Sequence, residues 1–263
     1  MERAHIALER RKTSVAKFGD SMIKNALRSI RFSFFIAPDS FYISERRSVF
    51  QMLTSEQPDE RTENPKTQSI IEQGTLEGLT LTVSSDSGRF DINLEHENPI
   101  IAQISSIDQA VQIGNRIISS IKGFIDNVTV IRYAIVFGFY DEITSKQEGY
   151  QALTELLGVN LDINTASDFM MRVNYPHIIN GFKSNVVSTW SIGALTTLSF
   201  ASNNPEILSQ NSTKYFRNLE VDINTIPQDI SVKTFDHIFS LIEQYCQIAF
   251  SVSERGPNGH IKA

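Results

Sequence analysis

The chain has 263 residues, with 24 Lys and Arg against 30 Asp and Glu, a formal net charge of −6, five His and one Cys. A single cysteine excludes an intrachain disulfide framework and any zinc site built on cysteines, and suits a reducing cytoplasm. No apolar run approaches the roughly 20 residues of a membrane helix, and Met1-Glu2-Arg3-Ala4-His5 lacks the basic-then-apolar layout of a signal peptide, so the expectation is a cytoplasmic protein with no membrane partner.

Charge is spread unevenly. Residues 1–31 carry eight basic residues (Arg3, Arg10, Arg11, Lys12, Lys17, Lys24, Arg28, Arg31) and three acids (Glu2, Glu9, Asp20), a balance of +5 that leaves −11 for the remainder. Val15, Phe18, Met22, Ile23, Ala26, Leu27 and Ile30 recur at helical spacing, so residues 13–31 are expected to form an amphipathic helix. Such an arm docks on the acidic body, meets an anionic partner, or contacts nucleic acid through residues 3–31.

Arg31–Ile36 then reads as a strand, stopped by Pro38. Ser55–Gln68 is polar, holds two prolines and is expected to be a loop. Leu79, Leu81 and Val83, then Phe90, Ile92 and Leu94, alternate with polar residues on either side of Ser85-Asp86-Ser87-Gly88, the pattern of a half-buried antiparallel hairpin. Ile107, Val111, Gly114, Ile118, Ile121 and Ile125 step by four and three and draw one stripe down a helix. Val128–Tyr140 is apolar enough for a central strand.

The second half follows the same plan. A short helix over Tyr150–Leu157 ends at Gly158, followed by strands at Phe169–Tyr175, Val186–Phe200 (which Gly193 interrupts or bulges) and Leu219–Asn224. A helical stripe runs from Phe235 to Ala249, and the polar tail from Glu254 is expected to fray. Phe90–Glu95 with its following helix matches Leu219–Asn224 with its own. The fold class expected is therefore α+β: two similar lobes, each an antiparallel sheet packed against one long helix, with an amphipathic N-terminal helix. The divisions fall at 1–31, 32–145 and 146–263.

Arg132-Tyr133 within Val130–Tyr140, and Leu219-Glu-Val-Asp-Ile-Asn before a helix ending in Ala249-Phe250, carry a resemblance. They are similar to the Arg-Tyr strand, the Leu-Asp-Ile-Asp strand and the terminal helix of a sporadically distributed family of uncharacterised prokaryotic proteins. Ala134-Ile135-Val136 stands where that family shows an Asn. The resemblance implies an α+β fold and a genetic setting of antiviral defence or toxin–antitoxin systems.

Sequence offers little chemistry. There is no GxxxxGK[ST], GxGxxG or GxSxG, and no pair of His four apart. His96 between Glu95 and Glu97 is either a base raised by a carboxylate or a solvated strand end. Asp236-His237 is either a site or a helix start whose acid suits the dipole. Pro38-Asp39, Pro58-Asp59, Glu63 and Lys66 only loosely resemble a metal-dependent nuclease set, because Glu63 and Lys66 have the wrong spacing. Cys246 reads as a buried thiol.

Arg132 interrupts an apolar strand, and a covered guanidinium must be paired. Its expected partner is Asp222 or Asp91, in a salt bridge between lobes. Otherwise it is an anion-binding point. No catalytic residue, metal ligand or cofactor is assigned. The candidate anion- or partner-binding residues are Arg132, Arg10, Arg11, Lys12, Lys17, Lys24 and Arg28. The function expected is a non-catalytic interaction or scaffold component that meets a protein partner or a second copy of itself. The alternatives are an unfamiliar enzyme acting on nucleic acid or nucleotides, and nucleic-acid binding through the arm.

Overall fold

A computed structural model describes residues 26–37, 48–96, 104–160, 162, 164–199, 210–227 and 234–262. Its strands are β1 (Ala26–Ile36), β2 (Glu60–Asn64), β3 (Ser69–Leu76), β4 (Leu79–Ser85), β5 (Arg89–Glu95), β6 (Val130–Ile143), β7 (Met170–Ile179), β8 (Phe182–Ser199) and β9 (Gln210–Thr225). All nine join in one antiparallel sheet in the order β2-β3-β4-β5-β1-β6-β9-β8-β7. The helices are α1 (Val49–Thr54), α2 (Ile107–Ser120), α3 (Lys122–Ile125), α4 (Lys146–Leu157) and α5 (Thr234–Arg255), which runs on into a 3₁₀ turn at Gly256–Lys262.

The expectation of two lobes, each on its own helix, is overturned. β1 and β6 pair from Ala26↔Tyr140 to Ile36↔Val130 and fuse the halves into one sheet. Above that seam α2 and α5 pack on each other, with Gly114 facing Ile242. Period-two and period-four patterns report which face of an element is buried, but not whether two sheets share an edge. What recurs is strand order within one sheet. β1, α1, β3, β4, β5 and α2 follow the same path as β6, α4, β7, β8, β9 and α5, on opposite sides of the β1–β6 pair.

Register shows how the core forms. Ile30, Phe32 and Phe34 of β1 lie opposite Leu94, Ile92 and Phe90 of β5 on one side and opposite Phe137, Ile135 and Tyr133 of β6 on the other. All are buried. Burying one such side chain contributes about 1.5–3 kcal/mol before entropy is counted. The described helices all meet this face: Phe50 of α1 against Gly74, Gly114 of α2 near Phe32, Phe124 of α3 edge-on to Phe90, Gly149 of α4 against Ile143 and Ile192, and Phe250 of α5 edge-on to Phe139. Three helix starts are chemically marked: the Ser48, Ser106 and Ser145 side chains accept from Gln51, Gln109 and Glu148 backbone N–H groups. Gly158 ends α4 at φ 64°, a left-handed cap that a residue with Cβ adopts only with strain.

Four further expectations change. Residues 26–31 lie in β1 rather than in a helix, because their neighbours across β5 and β6 supply ladder bonds and apolar cover; the remainder of the N-terminal arm lies outside the described residues. The 55–68 segment contains β2, an edge strand with every residue exposed, held to β3 by pairing and by Arg61 Nη1–Glu72 Oε1 at 2.9 Å. Gly193 neither breaks nor bulges β8, whose register with β9 is continuous from Ser184↔Thr225 to Ser199↔Gln210. The tail does not fray through Lys262. His260 stacks on Tyr175 at 4.1 Å, and its Nδ1 lies 2.7 Å from the Pro257 carbonyl. At the far edge, β7 pairs with β8 without interruption through Pro176.

Candidate interaction surface

Strand alternation sends the other half of the side chains to a face that no described helix covers. Its central rows follow from register: Arg89–Phe35–Arg132; then Asp91–Ser33–Ala134–Asn224; then Asn93–Arg31–Val136–Asp222; then Glu95–Ser29–Gly138–Glu220. A bulge between Leu27 and Ser29 adds Arg28 to this face, its Cζ 5.8 Å from the Tyr140 ring centre. On β5, β1, β6 and β9, Arg28, Arg31, Arg89, Arg132 and Lys214 stand against Asp91, Glu95, Glu142, Glu220 and Asp222, five charges of each sign. The β7–β8 flank is different. Met170, Ile178 and Leu195 are 74%, 67% and 48% exposed there, three of the five large exposed apolar residues among the described ones, and Ile71 on β3 lies on the same face.

Arg132 does not meet the carboxylates expected for it. Asp91 is taken by Arg89, Nε to Oδ1 at 2.9 Å, and Asp222 sits two rows away, accepting from Asn224 Nδ2 at 3.0 Å. The lobe-bridging salt bridge therefore does not exist. Arg132 instead places Cζ 4.8 Å from the Phe35 ring centre, with Nε buried and without a hydrogen-bond partner. Arg89 lies 5.0 Å from the same ring and donates through Nη2 to Ser33 Oγ at 3.3 Å. Arg28 is 7% exposed, and burial pulls its guanidinium below the usual range, partly offset by Asp141, Glu142 and Tyr140. Burial, then Glu95 and Glu220, push the Tyr140 phenol up. Arg28 and Arg132 lie toward opposite ends of the β1–β6 pair, about seven residues or roughly 23 Å apart along the strand. Arg10, Arg11, Lys12, Lys17 and Lys24 lie outside the described residues.

No family model matches the chain, and no curated protein does.

The remaining constellations have structural partners. His237 packs edge-on to Phe182 at 5.1 Å, with Asp236 in the first turn of α5. His96 lines a cleft of about 490 Å³ with Glu77, Gln109, Gln112 and Arg116, where Arg116 is ion-paired to Glu77. Glu63 of the nuclease-like set is paired with Arg61 at 2.7 Å, and Pro38-Asp39 lies outside the described residues. Among the described residues no three of His, Cys, Asp and Glu are grouped as a metal ion requires, and no helix is long and apolar enough to cross a membrane. Cys246 is buried on α5, its thiol pushed up to about 12 by burial and then by Glu243.

Sequence reasoning gave Phe35 and Arg89 no role, and it placed Arg31 both at the end of a basic helix and at the start of the Arg31–Ile36 strand. The available signal was parity. Arg31, Ser33 and Phe35 alternate with Ile30, Phe32 and Phe34, as Arg89 and Asp91 alternate with Phe90 and Ile92, so these polar residues share a face as soon as both segments are read as strands.

Proposed function

We propose that this chain is a non-catalytic interaction component whose contact surface is the β7–β8 flank of the helix-free face, meeting another protein chain, a second copy of itself included. One observation carries the reading: Met170 and Leu195 are exposed toward one end of that flank, four positions apart in register, and Ile178 is exposed toward its other end; large side chains in water cost free energy that a partner relieves. Arg172 and Lys183 on the same face give the flank a polar, charged surround, as in the rim of a protein interface. On the resemblance alone, the proposal extends to a prokaryotic antiviral-defence or toxin–antitoxin setting.

The test is molar mass by size-exclusion chromatography with light scattering, at low and high salt, together with a pull-down from the native operon. The expected outcome is an assembly heavier than the monomer, or a stoichiometric operon partner, that is lost in Ile178→Lys and Met170→Lys. Because Met170 and Ile178 are exposed, both variants should fold normally. A strict monomer that retains no operon partner removes the reading.

A further inference from the structure

We propose that this chain forms a two-fold symmetric dimer, in which two copies stack the helix-free faces of β7, β8 and β9 with the symmetry axis running along the middle of β8. The inference rests on the flank reading above and narrows its partner to a second copy in a stated register. Two neighbouring rows cross these strands on that face: Arg172–Thr189–Glu220 and Asn174–Val187–Asp222. Each row places a hydrogen-bond donor on β7, an uncharged residue of modest size on β8 and an acid on β9. Arg172 and Glu220 are both exposed, and neither is ion-paired among the described residues.

Half a turn about β8 exchanges the places of β7 and β9 and leaves each row at its own height along the strand. Arg172 of one copy then faces Glu220 of the second, Asn174 faces Asp222, and each contact occurs twice. The patch is therefore complementary in charge to itself, the property that fixes partner and register at an interface. Stacked sheets sit about 10 Å apart. β8 permits that approach at the axis, because Val187, Thr189, Ser191 and Gly193 on this face carry no long side chain. Met170 lies one row beyond Arg172, in line with Ser191 and Asn218, so the same half-turn covers it. Lys183, the cation on β8 itself, stands at the start of that strand, where the crossing of twisted sheets holds the two copies apart.

Light scattering over a micromolar concentration series tests this on the full chain. The expected result is a monomer–dimer equilibrium that weakens as salt screens the exposed charges. Arg172→Glu and Glu220→Arg should each raise the dissociation constant by about tenfold or more, because each sets like charges together twice. The double variant Arg172→Glu/Glu220→Arg should restore the dimer. Thr189→Cys, at the axis, should cross-link to its own copy through a short bis-maleimide, whereas Thr82→Cys, on the same face of β4, should not; Cys246 is buried and stays out of the reaction. Thermal melts check that every variant folds. A monomer that still holds an operon partner overturns the two-fold dimer and leaves the flank reading standing, while a strict monomer without a partner removes both. A dimer indifferent to Arg172→Glu, one that the double reversal fails to rescue, or one that cross-links through Thr82→Cys and not through Thr189→Cys also overturns it.

Discussion

Gly114 offers the most direct test of how the halves are joined. A Cβ built there lies 2.7 Å from Ile242 Cγ2 and 3.6 Å from Phe32 Cζ, where apolar carbons prefer about 3.5–4.0 Å. Ile242 is fully buried on α5 and cannot swing away. Gly114→Ala therefore sets a gain of about 1 kcal/mol in helix propensity against about 1–3 kcal/mol of overpacking. A net loss of about 1 kcal/mol is expected, which lowers Tm by about 2–4 °C for a chain of this size. Gly123→Ala is the control, because nothing lies within 4 Å of its Cβ; it should gain about 0.5 kcal/mol. Ile242→Ala alone should cost about 2–5 kcal/mol. Combined with Gly114→Ala it should cost less than the two separately, by about 1 kcal/mol or more, because the new methyl occupies the emptied space. Urea unfolding of the four variants and the wild type supplies every number. If Gly114→Ala stabilises as much as Gly123→Ala and adds to Ile242→Ala without coupling, α2 and α5 do not pack at this point and the joined core described here is wrong.

Two further tests follow from buried ionisable groups. An unfolded thiol ionises near 9.0 and the buried Cys246 thiol only near 12, so between these values the unfolded chain sheds a proton that the folded chain keeps, and stability falls as pH rises. At pH 11, two units above 9.0, that loss is about 3 kcal/mol. Tyr245, pushed from 10.0 to about 12 by burial, adds about 1.4 kcal/mol over its single unit. The urea midpoint should therefore drop steeply from pH 9 to 11 in wild type and less steeply in Cys246→Ala; parallel slopes would show that the thiol is accessible in the native state. Arg217 is 4% exposed and ion-paired to Asp141, and burial pulls its guanidinium below the usual range despite that partner. Asp141→Ala should cost about 3–5 kcal/mol by stranding the charge, and adding Arg217→Met should restore most of it. Equal unfolding midpoints for wild type and Asp141→Ala would show that the pair contributes nothing.

Legibility in the sequence tracked the physics of each element. The β4–β5 hairpin was plain because alternation and the turn residue agree: Asp86 Oδ1 accepts from the backbone N–H groups of Gly88 and Arg89 at 2.9 and 2.8 Å. β6 was recognisable as central because apolar residues occupy both faces through Ala134, Val136 and Phe137. β2 was hidden, since an edge strand with both faces in water needs no apolar residue. The helical reading of 26–31 failed because Leu27, Ile30 and their neighbours satisfy a helical stripe and, once the bulge at Arg28 resets the phase, a strand as well. The Arg89–Phe35–Arg132 row was half legible. Arg132 stood out as a charge in an apolar strand, but its companions belong to segments 40 or more positions away, and only the pairing of β1 with β5 and β6 brings them beside it.

The two margins of the sheet limit how the molecule can grow. The β7–β8 ladder passes Pro176 unbroken, so the proline nitrogen faces outward, where an incoming strand would look for a donor and find none. On the opposite margin, β2 fields Glu60, Arg61 and Glu63 along a fully wetted strand, a charged fringe that repels an apolar intruder. With both selvedges poorly suited to knitting on another chain, an assembly built from this protein is expected to form through its broad surfaces instead of lengthening edge to edge into a ribbon.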